Sequence, residues 1–233
     1  MNEQERAEEH LRTIRRLMER GTIYRAISAP TALVGGVLSL SAFGFFVRSA
    51  IFQNWTPASV FVPPLDFFLP VWLIVFLLTA GANTLFIVIG AKSRHEPIFS
   101  ASMRAALYAL TPGVIMGGAF TFCFGGLGWD PMLDLAMSIG WAACYGIGLL
   151  ATSHFAPRSL TLLGWAFLIS SIVGLMLLRF SGLMTLHMDG IRFTGWTRYT
   201  YYFGPLFMAL TFGLFHLIYA VCAWPRKGAA TEP

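Results

Sequence analysis

Six stretches of about twenty predominantly apolar residues divide the chain, each long enough for a helix to cross a bilayer. They are Ala26–Phe46, Phe67–Ala91, Ala105–Gly126, Met132–Ser153, Ser159–Leu178 and Tyr202–Val221. The third and fourth are parted only by residues 127–131, which predicts a tight hairpin. Two segments break this pattern. Residues 3–20 place Ala7, Leu11, Ile14 and Met18 at helical spacing, with Leu17 beside them. Glu3, Glu5, Glu8 and Glu9 crowd the start of this segment, and Arg12, Arg15, Arg16 and Arg20 its end. That order complements a helix dipole, and Gly21 stops the helix. Between the fifth and sixth runs, about residues 182–201, the pattern turns to alternation around Asp189-Gly190. Asp-Gly in that setting predicts a two-residue hairpin turn. Trp196, Tyr199, Tyr201 and Tyr202 follow it like an interfacial aromatic belt.

Basic residues give the runs a direction. Arg6, Arg12, Arg15, Arg16, Arg20 and Arg25 precede the first run. Lys92, Arg94, Arg104, Arg158, Arg226 and Lys227 fall on the same side if the runs alternate. Only Arg48, Arg179, Arg192 and Arg198 fall on the other side. Positive residues stay cytoplasmic, so both ends are expected inside. The predicted fold is an all-α membrane protein with six transmembrane helices arranged as three hairpins. Residues 1–25 form a cytoplasmic amphipathic helix, 26–223 the transmembrane domain with its short external β-hairpin, and 224–233 a cytoplasmic tail. The charged segment before the first run is unlike a signal-peptide start, so that run is expected to act as an uncleaved anchor. The first external loop, residues 48–66, holds Trp55, Pro57, Pro63 and Pro64 and is expected to cap the outer face.

Composition agrees with a lipid-facing exterior. Hydrophobic residues make up 56% of the chain and charged residues 12%, about half the share of a soluble domain. The net charge of +5 does not indicate nucleic acid, because the basic residues flank apolar runs. Cys123, Cys144 and Cys222 lie inside the runs without CxxC spacing and read as small apolar fillers.

An internal repeat links the first and third runs. Pro30, Gly35, Gly36, Ser39, Ser41 and Gly44 recur at a shift of 82 residues as Pro112, Gly117, Gly118, Thr121, Cys123 and Gly126. The two copies run in the same direction, which suggests duplicated parallel hairpins. Small residues four apart, as at Ala32/Gly36, Gly113/Gly117 and Ala142/Gly146, let helices approach closely. Gly35, Gly36, Gly113, Gly117 and Gly118 are therefore expected at helix–helix contacts. Pro30 fits a first helical turn, and Pro112 invites a kink inside its run.

Ionisable residues within spans are the default functional candidates. His216 alone lies clearly inside one. It suits a hydrogen-bonded core position, a proton relay or a haem ligand, and His154 is the nearest partner for bis-histidine ligation. Asn83, Tyr145 and His216 are candidates for a polar pathway. Arg48, Asp66, Asp130, Asp134 and Arg179 are candidates for an external charged cluster, although acids also favour helix N-termini. No carboxylate sits near mid-span, which argues against an ion-coupled pump. The sequence has no phosphate loop, HExxH, GxSxG or acidic metal loop, so no catalytic residue, resident cofactor or metal is expected.

The stretch from Leu11 to Gly36 (LRTIRRLMERGTIYRAISAPTALVGG) resembles the opening of a group of uncharacterised bacterial multi-pass membrane proteins. The resemblance implies a bacterial cytoplasmic membrane and carries no functional residues. The leading expectation is a non-enzymatic interaction or sensing component. Its partners would be the bilayer, a cytosolic or membrane protein docking on residues 3–20, or a second copy. The alternatives are a small-solute transporter or channel built from parallel hairpins, and a haem- or quinone-binding protein.

Overall fold

The computed structural model describes residues 8–9, 29–55, 67–93, 101–124, 131–153, 156–187 and 202–224. These residues contain six helices long and apolar enough to cross a membrane. We number them α1 (Ala29–Trp55), α2 (Phe68–Ser93), α3 (Ala101–Phe124), α4 (Pro131–Ala151), α5 (Arg158–His187) and α6 (Phe203–Ala223). Within α6, residues Ala209–Phe215 are π-helical.

The start signal at Pro30 works as read, and Pro131, placed in the turn by the sequence, opens α4. Pro30 and Pro131 both sit in a first turn, where the missing N–H has no helical partner to lose. Pro112 lies inside α3, and the helix runs through it without a break. Two helices outrun their apolar windows. α1 continues past Phe46 through Arg48 to Trp55, into the expected loop. α5 continues to His187. Residues 184–187 are therefore helical and do not form the first strand of a β-hairpin. Extending an existing helix adds one bond per residue fixed, whereas an isolated two-stranded hairpin is marginal in itself. No strand occurs among the described residues. The hairpin's Asp-Gly turn and second strand lie outside them, as do most of the helix at residues 3–20 and most of the tail; Glu8 and Glu9 are helical and exposed.

The packing regroups the three expected hairpins. α1 lies against α2, and α3 against α4. The two most extensive interfaces join α1 to α6 and α4 to α5, both across those hairpins. α6 packs mainly on α1 and on the start of α4, and much less on α5. It is a central helix rather than half of a third hairpin. α2 and α3 are peripheral, and most of their large side chains point outward, as Leu77, Ile115 and Phe122 do.

Two buried clusters hold the bundle. One gathers Ala42, Phe46, Phe68, Trp72, Met137 and Met208 from α1, α2, α4 and α6, with the Phe68 ring stacked on Trp141 at 6.1 Å. The other gathers Ala32, Ala142, Leu149, Leu160, Leu163, Phe167, Tyr219 and Ala220 from α1, α4, α5 and α6. Glycines set the spacing. A Cβ at Gly113 would lie 2.6 Å from the Cys144 carbonyl oxygen of α4, and one at Gly146 would lie 2.9 Å from the Gly164 carbonyl oxygen of α5. A Cβ at Gly36 would lie 3.0 Å from the Gly213 carbonyl oxygen of α6. Gly35 faces Thr79 of α2, and its repeat counterpart Gly117 faces Trp141 and Cys144 of α4. Gly118 departs from the expectation of a contact, because nothing lies within 4 Å of its side-chain position. Its counterpart Gly36 is covered by α6, and α3 has no second neighbour of that kind.

Candidate functional site

Tyr145 and His216 meet between α4 and α6. The Tyr145 hydroxyl lies 2.9 Å from His216 Nε2, across 71 positions of sequence. Glycines on both sides make the approach feasible. Gly146 lets α4 close on α5, and Gly36 lets α1 close on α6. The two rings are thereby pressed into the centre of the second buried cluster.

An aromatic box surrounds them. Phe167 of α5 is fully buried and forms its hub. Its ring meets Tyr145 at 4.8 Å, Phe212 at 4.9 Å, His216 at 5.5 Å and Phe215 at 5.6 Å, all edge to face. Phe212 stacks on the His216 ring at 6.0 Å and 12°. Edge-to-face rings gain from their quadrupoles beyond simple burial. Leu149, Leu163 and Tyr219 pack into the same cluster.

The hydrogen-bond inventory of the pair is incomplete. His216 Nδ1 is buried without a hydrogen-bond partner. It turns toward the Phe212 carbonyl one helical turn earlier but stops short of hydrogen-bond geometry. This favours one tautomer. If Tyr145 donates to Nε2, the proton sits on Nδ1 and a single N–H is left over. If Nε2 carries the proton, both a bare Nδ1 and the tyrosine hydrogen lack partners. Each stranded buried group costs about 1–3 kcal/mol, so the first arrangement is preferred.

The backbone next to the histidine is also irregular. The π-helical segment ends at Phe215, directly before His216. The His216 N–H closes onto the Gly213 carbonyl, a tighter turn that restores the narrower helix. Thr211, inside the wide stretch, donates its hydroxyl at 2.7 Å to the carbonyl of Phe207, which lies before it. π-Helical turns of this kind are frequent at functional sites.

The other sequence candidates fall elsewhere. Asn83 accepts a hydrogen bond from Thr31 at 3.2 Å and ties α2 to α1, apart from the Tyr145–His216 pair. Its neighbour Thr84 donates to Ala80 in its own helix. Asp134 is buried at 7% exposure, and its backbone and Cβ lie against Gly204 at the start of α6. Arg48 and Arg179 are exposed. Asp66 and Asp130, the remaining members of the external cluster, lie outside the described residues, as does His154. Haem does not fit what is described, because Tyr145 occupies the Nε2 that would face an iron. Among the described residues no group of three or more His, Cys, Asp or Glu could hold a metal ion.

The sequence named Tyr145 and His216 separately but missed their bond, the phenylalanine box and the π-helical segment. Comparison with protein-family models, curated proteins and solved structures finds no match for this chain.

Proposed function

We propose that this protein crosses a bacterial cytoplasmic membrane six times, with both ends inside, and acts as an interaction or sensing component without a chemical step of its own. One observation favours this reading over transport: Asn83, Tyr145 and His216 are each hydrogen-bonded to a residue of a neighbouring helix. Asn83 is committed to Thr31, and the Tyr145–His216 pair is enclosed by Phe167, Phe212 and Phe215. A solute path would need such groups to face a shared polar space. The cytoplasmic orientation rests on twelve basic residues against four. The charged segment at residues 3–20 is the natural docking element, either on an anionic leaflet or on a protein partner.

Purification of the full chain in mild detergent tests the reading, beside a variant lacking residues 1–20. A stoichiometric partner kept by the full chain and lost by the variant is the expected result. Absence of any partner, together with an unchanged cellular phenotype of the variant, rejects it. Labelling of single cysteines placed at Lys92 and Arg179 tests the orientation separately. Only the cysteine at 179 should react with an impermeant reagent added outside intact cells.

A further inference from the structure

Three features of α6 coincide around His216: a π-helical turn, an unpartnered buried Nδ1 and a glycine-lined neighbour. We infer that α6 is a two-position helix, whose C-terminal half turns by one residue when the π-helical segment relaxes to α geometry. The Tyr145–His216 hydrogen bond holds the observed position.

A π turn carries one residue of slack relative to an α-helix. Removing it turns everything beyond Phe215 by about 100° and shifts it by about 1.5 Å along the axis. His216 then takes the place now held by Leu217, against Gly36. Phe215 takes the place of His216 beside Tyr145. Around Tyr145 both arrangements can pack, whereas further along the turn sets Tyr219 where the fully buried Ala220 now sits, so α1 has to give way there. Gly36 has no side chain to block an imidazole, and Phe215 already touches the Phe167 hub, so the box exchanges one ring for another.

The two positions hold opposing terms. The observed one has the 2.9 Å hydrogen bond but strands Nδ1 and keeps the poorer π geometry. The turned one recovers regular helix geometry and gives up the bond to Tyr145. The N-terminal part of α6 is fixed in either case, through Gly204 against Asp134 and Met208 in the other cluster. The motion therefore reaches the C-terminal end of α6, where Trp224 turns into extended backbone. This goes beyond the sensing reading and does not depend on it, because its readout is helix register and not partner binding.

The test places 4-trifluoromethylphenylalanine at position 215 in the full chain, in lipid nanodiscs, and records fluorine NMR. Two resonances report the two positions of ring 215. Tyr145→Phe removes the bond that favours the observed position and should raise the ratio of the second resonance to the first about fivefold. Deletion of Leu214, an exposed π-segment residue, takes out the slack while leaving His216 beside Tyr145. It should abolish the second resonance, also when combined with Tyr145→Phe. Deletion of Leu210, equally exposed, serves if the first deletion does not fold. An unchanged ratio in Tyr145→Phe overturns the inference. So does a second resonance that survives a folded deletion.

Discussion

Alanine at Gly113 and alanine at Gly118 are the same substitution on the same helix, yet the packing assigns them different outcomes. A Cβ at Gly113 would sit 2.6 Å from the Cys144 carbonyl oxygen, 3.5 Å from its carbonyl carbon and 3.6 Å from the Gly148 Cα. All three are backbone atoms of α4, so no side chain can rotate away. Restoring ordinary contact means moving α3 from α4 by roughly 0.8 Å, and a gap of that size forfeits about a quarter to a half of each dispersion contact along the interface. Overpacking of this kind costs about 1–3 kcal/mol. At Gly118 nothing lies within 4 Å, so no contact is disturbed. The helical preference of alanine over glycine then adds between zero and about 1 kcal/mol. That preference acts at Gly113 as well and cancels, so the two variants should differ by the overpacking cost, about 1–3 kcal/mol. Reversible unfolding in mixed micelles measures both against the parent, with helix content as a control for gross misfolding. Equal effects, or a larger loss for Gly118→Ala, would refute the α3–α4 contact and with it the placement of α3.

Three further outcomes follow from the central site and its surroundings. Tyr145→Phe strands Nε2 beside the already unpartnered Nδ1 and should cost about 1–3 kcal/mol in unfolding. Adding His216→Phe removes the stranded atoms and should recover part of that loss, which a double-mutant cycle reads directly. Phe167→Ala empties the hub of the aromatic box and should cost about 3–5 kcal/mol, the most of the single changes proposed. Thr31→Ala with Asn83→Ala should show a coupling of about 0.6 kcal/mol, the usual size for a hydrogen bond between membrane helices; no measurable coupling would mean that the 3.2 Å contact contributes nothing.

The helices were legible because their signal is coarse. Runs of apolar length announce spans, and Pro30 marks a start whatever surrounds it. Their neighbours were not legible, for a physical reason. In a soluble helix, a stripe of apolar positions shows which face meets the core. In α2, a run of Leu, Ile, Val and Phe covers every face alike, so the side against α1 carries no distinct pattern. Small residues were the remaining guide. They pointed correctly at Gly36, Gly113 and Gly146, but Gly118 has the same local sequence character and meets nothing. The π-helical segment Ala-Leu-Thr-Phe-Gly-Leu-Phe is likewise unremarkable as a string, since the extra residue is set by what α6 packs against.

The Tyr145–His216 pair was closer to legible than it looked. Tyr145 lies six residues before the end of α4, and His216 seven before the end of α6. Helices two apart in an alternating bundle run the same way, so both rings lie about 9–11 Å inside the same end. Matching polar residues by depth would have paired them and passed over His154, which sits beyond the end of α4. The same rule fails for Thr31 and Asn83. Thr31 is two residues from the start of α1, and Asn83 is ten from the end of α2, yet they touch. α2 overhangs the start of α1 by about eight residues, or about 12 Å. Depth counted from helix ends therefore holds where two ends are level, and α1 and α2 are not. What sequence could not supply is that levelling. It is set here by contacts such as Gly204 on Asp134, which ties the start of α6 to the start of α4 and so brings residues 145 and 216 to one height.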